Sequence, residues 1–303
     1  MRALLMLLWC WPTVVFAQSS TGPNDPTGGL ADFSGVTLGA VPVPDAQHTR
    51  LLGLIDGTAA AKPESGITYI AVAERDARFR RVHDLLVEGN YLMQAARVVQ
   101  DRVKVPGGLR VITGECGELN AVYVPSRRAV VVCHELIAHF ADHFRAKYPG
   151  DSVRVGRAVV SATVFAFFHE LGHAFFDIFE LANLGSEEDA ADRIAGLLML
   201  ELGVDAAQRT LEGAEGLLAL SKLGETPVWD VHGFGAQRFF NVACLVLGAA
   251  GPQARLVGHD AFNRERAPRC VAEYGQARTS FDKMIGPHDK RPKSRLERLL
   301  ERR

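Results

Sequence analysis

A surplus of charge of either sign is missing from this 303-residue chain, which carries 34 basic and 35 acidic side chains. Neutrality gives no reason to expect a nucleic-acid partner. No internal repeat is evident, so nothing points to a solenoid. The opening apolar run, residues 3–16, is too short to cross a bilayer comfortably, and polar residues 18–21 follow at once. Cysteine is scarce as well: there are five, one of them (Cys10) inside that run.

What stands at the N-terminus reads as an export signal. Arg2 supplies a positive start and Val15-Phe16-Ala17 a cleavage site, so residues 1–17 are expected to be removed. The protein is then exported, periplasmic or secreted, with no stable membrane insertion after signal removal. Four cysteines remain, and an even number in an exported chain favours disulfides. Of the possible pairings, Cys116–Cys133 with Cys244–Cys270 is preferred, because each pair brackets a short hairpin or helix–loop unit. Buried thiols are the alternative.

Residues 18–47, rich in Gly, Pro, Ser and Thr, read as a flexible leader, and residues 48–285 as a single domain. Alternating β-branched residues predict strands at 67–73, 109–113, 120–124 and 129–133, the last two joined as a hairpin. Residues 75–103 have helical spacing, with a kink or split at Gly89-Asn90. Helices are predicted at 134–148, 155–181, 187–202, 206–223, 236–247 and 269–284. The fold class is therefore α+β, a small sheet on the N-terminal side packed on a mainly helical body. Residues 286–303 form a basic tail, most simply a solvated helix, with contact to an anionic surface as the alternative.

Chemistry concentrates in His169-Glu170-Leu171-Gly172-His173. Histidines four apart lie on one face of a helix, so both imidazoles can reach one ion, and H-E-x-x-H is a zinc-binding signature of metallopeptidases. Glu170 projects from nearly the same face and can hold the attacking water. The helix is apolar almost all round and should be buried, where such groups need a divalent ion as compensation. Phe165, Phe167, Phe168, Phe175 and Phe176 read as core around the site, not as a specificity pocket.

A catalytic zinc needs a third protein ligand and an open position. Residues 186–192 hold the only dense acidic cluster within reach, at a helix start where Ser186 suits the N-cap. Ordinary helix-start charge would explain that cluster by itself. Glu188 is chosen as ligand and Asp192, one turn on, as acceptor for the outer N–H of a ligand histidine. Glu187 and Asp189 are the alternatives. Upstream, His134-Glu135-Leu136-Ile137-Ala138-His139 mimics the motif, but histidines five apart point about 140° apart. These two and His143 are expected to be surface histidines, dispensable for metal.

His169–His173 with Glu188 and Asp192 resembles the gluzincins, zinc peptidases whose third ligand is a glutamate in an E-x-x-x-D helix. Asn120-Ala121-Val122-Tyr123 is similar to the N-A-x-Y edge strand of the neprilysin branch, and Asp230-Val231-His232 with Arg238 resembles its D-x-H…R segment. The chain also looks like bacterial exported proteins whose metallopeptidase activity is itself only inferred. The resemblance covers about residues 116–247. It implies a zincin-like fold, one catalytic Zn2+ and a peptide or protein substrate. It further implies Asn120 and Ala121 beside the substrate backbone, His232 donating to the oxyanion, Asp230 orienting His232, and Arg238 binding a substrate carbonyl. Neprilysin-type enzymes are much larger and place the third ligand farther downstream. A second helical lobe covers their cleft, so size selection by a closed chamber is not carried over. Read without the resemblance, Asn120 starts a strand, His232 caps a helix and Arg238 pairs with Asp230.

The expected reaction is peptide-bond hydrolysis by metal-activated water with Glu170 as general base. An envelope zinc amidase acting on cell-wall peptides and a non-catalytic zinc-organised binding protein are the competing readings. Glu170 favours chemistry, since a structural site has no use for a base.

Overall fold

The computed structural model describes residues 49–221 and 232–290, together with two short strands, β1 (Thr13–Val14) and β2 (Leu38–Gly39), paired antiparallel. The rest of residues 1–48, residues 222–231 with Asp230 among them, and residues 291–303 lie outside the described residues, so the expected signal, leader and most of the basic tail are not described. The chain divides into units 1–47 and 48–303, and the second holds the elements that follow.

Four strands form one sheet: β3 (Ile67–Ala71), β4 (Leu109–Gly114), β5 (Ala121–Val124) and β6 (Ala129–Cys133). Their order is β3-β4-β6-β5, the first three parallel and β5 antiparallel on the edge. β4 and β6 are buried throughout and nearly continuous in apolar residues, as interior parallel strands must be. Arg110 and Thr113 are the exceptions; the Arg110 guanidinium donates to Ile55 O, Thr58 Oγ1 and Arg127 O, and the Thr113 hydroxyl pairs with that of Tyr69. On one face Ile112 and Val131 pack on Leu51 and Ile55 of α1 (Thr49–Gly57). On the other, Leu109, Val111, Val130 and Val132 meet the helical body. Pro125 opens a tight turn and Arg128, at φ 45°, closes it, so the hairpin folds β5 back along β6.

Asn90, at φ 50°, splits the predicted 75–103 helix into α2 (Arg80–Gly89) and α3 (Tyr91–Arg102). The body is built around α5 (Ser152–Ile178), whose N-terminus Asp151 caps by accepting Arg154 N–H. By length and composition α5 could cross a membrane, but 78% of its apolar stretch is buried in protein. It packs on α4 (His134–Lys147), α6 (Glu187–Met199), α7 (Ala206–Ser221), β5 and β6. Gly172 permits this: a Cβ there would lie 2.9 Å from Ala191 Cα on α6. α8 (Gly235–Ala250), α9 (Asp260–Glu265) and α10 (Ala267–Ile285) complete the body. Disulfides join Cys116 to Cys133 and Cys244 to Cys270, the preferred pairing, the first enclosing the β5–β6 hairpin and the second tying α8 to α10. The architecture is α+β, with its small sheet on the N-terminal side.

Candidate metal centre

One turn apart on α5, the imidazoles of His169 and His173 turn their Nε2 atoms to the same point, 3.3 Å from each other. α6 meets them from the side. Ser186 caps that helix by accepting Asp189 N–H, which sets Glu188 in its first turn. Glu188 Oε2 lies 3.1 Å from His169 Nε2, and Oε1 lies 3.4 Å from His173 Nε2. Donors held by zinc at about 2.0–2.2 Å in a tetrahedron stand about 3.3–3.6 Å apart, so the three groups have the spacing of ligands. Glu188 Oε2 is moreover buried and, although imidazole nitrogens stand 3.1 and 3.3 Å away, accepts no well-aligned hydrogen bond, so a cation would suit it. The donor set therefore fits a divalent ion. Among the described residues a second cluster of candidate ligands, Cys116, Cys133 and Glu135, has both sulfurs committed to a disulfide.

Outer partners hold each ligand. His169 Nδ1 pairs with Asp192 Oδ1 at 2.9 Å, and His173 Nδ1 with Glu187 Oε1 at 2.7 Å. Such contacts set the tautomer that leaves Nε2 for the ion. Arg238 of α8, itself buried, grips Asp192 with two N–H groups at 2.7 and 2.9 Å. Without a metal these atoms need protons instead. Burial opposes the cationic form of His169, but the Asp192 and Glu188 carboxylates outweigh it and carry its pKa up to about 10. His173 is raised in the same way, against burial, by Glu188 and Glu187. Glu188, though burial alone would raise it, is driven far below the carboxylate range by the two imidazoles. Metal uptake should accordingly displace protons. Burial lifts the carboxyl of Glu170 above its ordinary value, against the pull of His169, His173 and the Tyr123 N–H that donates to its Oε2 at 2.7 Å.

The remaining predicted residues gather at this point from separate elements. His232, half exposed, sets Nε2 3.3 Å from Glu188 Oε2. Asn120 accepts Cys133 N–H through its carbonyl, and Ala121 opens β5. Both line a cavity of about 120 Å³ beside His169, Glu170, His232 and Arg238. Its other walls are apolar, from Leu136 and Phe140 of α4, Phe165 of α5 and Leu217 of α7. Phe167, Phe168 and Phe175 are fully buried core, whereas Phe165 is both core and cavity wall, and Phe176 is only partly covered. Asp230 lies outside the described residues, and the partner seen for Arg238 is Asp192.

Two points depart from the sequence reading. His134 is not a surface residue: it is fully buried, and neither ring nitrogen has a hydrogen-bond partner, while His139 is partly covered and the His143 side chain is only 9% exposed. The helix opens directly from buried β6, which draws its first residue inside. Glu187, weighed above as a ligand, instead orients His173. The Tyr123 N–H on Glu170 was not anticipated, because a main-chain donor leaves no mark in the residue letters.

An α+β scaffold here brings two imidazoles and a carboxylate together as a group that could hold a metal ion, with a buried glutamate beside them. Over residues 72–285 the chain matches the model of a family described as "Putative metallopeptidase", and it belongs to that family. No curated protein and no solved structure matches it. Family membership implies a metal ion and hydrolase activity.

Proposed function

We propose that the protein is a zinc-dependent peptidase of the exported compartment, cleaving peptide bonds with Glu170 as general base. The supporting observation is the convergence of His169 Nε2, His173 Nε2 and the buried Glu188 carboxylate, with the nitrogens and oxygens 3.1–3.4 Å apart. These three residues would hold one ion, which would supply Lewis acidity and lower the pKa of a water from 15.7 towards about 7. Glu170 takes the proton of the attacking water and returns it to the leaving amine, and its burial favours a carboxyl able to do both. With Oε2 engaged by Tyr123 N–H, the other oxygen carries the proton. His232 donates to the carbonyl oxygen as negative charge builds there. An extended substrate pairs with the free edge of β5 at Ala121, with the Asn120 side chain beside it, and the cavity there accepts an uncharged side chain. Arg238 acts through Asp192, holding His169 in register.

Purified zinc-loaded protein tested on peptide libraries against Glu170→Gln decides the reading. Wild type should cleave, and the variant should lose about 10²–10⁴-fold in rate while keeping one zinc. Equal inertness of both would overturn it in favour of a binding protein, and cleavage confined to cell-wall peptides would select the amidase.

A further inference from the structure

Tyr123 touches the catalytic helix twice. Its main-chain N–H donates to Glu170 Oε2 at 2.7 Å, and its phenol donates to Asp177 Oδ2 at 2.6 Å. Residues 170 and 177 are two turns apart on α5, about 10 Å along the axis, so one side chain from the edge strand spans that distance. Tyr123 is 8% exposed, while Asp177 is exposed near the C-terminal end of α5. An acid in the last turn of a helix faces the negative end of its dipole, so intrinsic preference does not account for Asp177 there. Acceptance of a buried phenol's hydrogen bond does.

β5 needs such a fastening. It is the edge strand, only four residues long, and holds to the sheet by β6 alone. Alternation along an antiparallel strand turns the N–H groups of 122 and 124 to β6 and that of 123 outward, towards Glu170. Nothing in the sheet itself fixes how far the 123 N–H stands from α5. The phenol and Asp177 supply that restraint.

We infer that Tyr123 and Asp177 are a positioning pair, a strut that sets the edge strand on α5 so that the Tyr123 N–H holds the Glu170 carboxylate in its working orientation. The catalytic half of this inference rests on the peptidase reading. The mechanical half does not. Neither residue touches the ion or the scissile bond; both act through Glu170, and misplacement of a reacting group by 1 Å can cost about 10²-fold.

The test is Tyr123→Phe, Asp177→Asn and the double variant in the full exported chain, with Ile285→Val, a core trimming in α10, as a stability control. Amide exchange is read first, with and without zinc. Tyr123→Phe should speed exchange at residue 123 about 10-fold, leaving 122 and 124 protected. Zinc stoichiometry should stay unchanged. In turnover, kcat should fall about 10-fold or more with little change in KM, the double variant should be no worse than either single, and Ile285→Val should keep wild-type kcat. Unchanged exchange at 123 overturns the strut, and faster exchange with unaltered kcat overturns its role in positioning. Additive losses in the double variant do the same, since they deny that the two residues act as a unit. A wild type inert on every amide instead sinks the peptidase reading and the catalytic half with it. The exchange result still decides whether the strut exists.

Discussion

α4 and α5 pack on each other and both carry a His-Glu-Leu string, yet only α5 builds a centre. In α5 the second histidine follows at four residues, and the two Nε2 atoms meet at 3.3 Å. In α4 it follows at five, and the rings diverge: His134 is buried without a polar partner, while His139 Nε2 faces Ala219 O. His143, one turn on, faces Glu215. The glutamates differ as well. Glu170 is buried over the site, whereas Glu135 is used structurally, accepting Cys116 and Gly117 N–H. The third difference is what the string meets. Gly172 lets α6 approach until Glu188 and Asp192 reach the imidazoles, whereas α7 brings only Glu215 to α4, where it faces His143 and not the His134–His139 pair. A metal motif is thus a spacing plus an approach. Either alone gives histidines that serve other purposes.

The largest expected effect breaks the contrast directly. Glu188→Ala should cost zinc more than about 100-fold in affinity, beyond the 10–100-fold of an outer-shell loss, and Glu135→Ala should cost none. Competition with a chelator measures both, and comparable losses would erase the distinction between the helices. Next, Gly172→Ala places a methyl 2.9 Å from Ala191 Cα and must push α6 outward, an overpacking of about 1–3 kcal/mol. Thermal melts should show the gap between zinc-loaded and metal-free protein narrowing, because the carboxylate no longer reaches. An undiminished gap would mean that the approach of α6 is not what completes the centre.

A third prediction concerns α4 and is confined to acid pH. Burial, reinforced by His83, pulls His134 from 6.5 down to about 4. The unfolded chain takes up a proton below about pH 6.5 that the folded chain refuses until about pH 4. Stability should therefore fall as pH drops through that window, by about 3 kcal/mol in all, and hold above it. Denaturant titrations of wild type and His134→Phe should differ in slope only there. Parallel curves would refute the buried, neutral imidazole.

Much of this was legible in the residues. His169 and His173 on α5, and Glu188 and Asp192 on α6, are each one turn apart, so helical geometry aligns the members of each pair. Strand and helix positions followed from β-branched runs and from breaks such as Pro149-Gly150 and Gly89-Asn90. Less accessible were properties set by tertiary packing. The order β3-β4-β6-β5 depends on which apolar strands pair across α2 and α3, and periodicity is silent on that. Glu187 and Glu188 are equivalent as letters, and only the turn of α6 against α5 assigns one to His173 Nδ1 and the other to the ion's position. The burial of His134 has the same origin, since its place at the foot of β6 outweighs the polarity of its side chain.

Anomalous diffraction at the zinc edge, on crystals of the metal-loaded protein, bears most directly on the centre. One peak is expected, about 2.0–2.2 Å from His169 Nε2, His173 Nε2 and a carboxylate oxygen of Glu188, with one side open to solvent. A peak among His134, His139 and His143, or none at α5, would contradict the account.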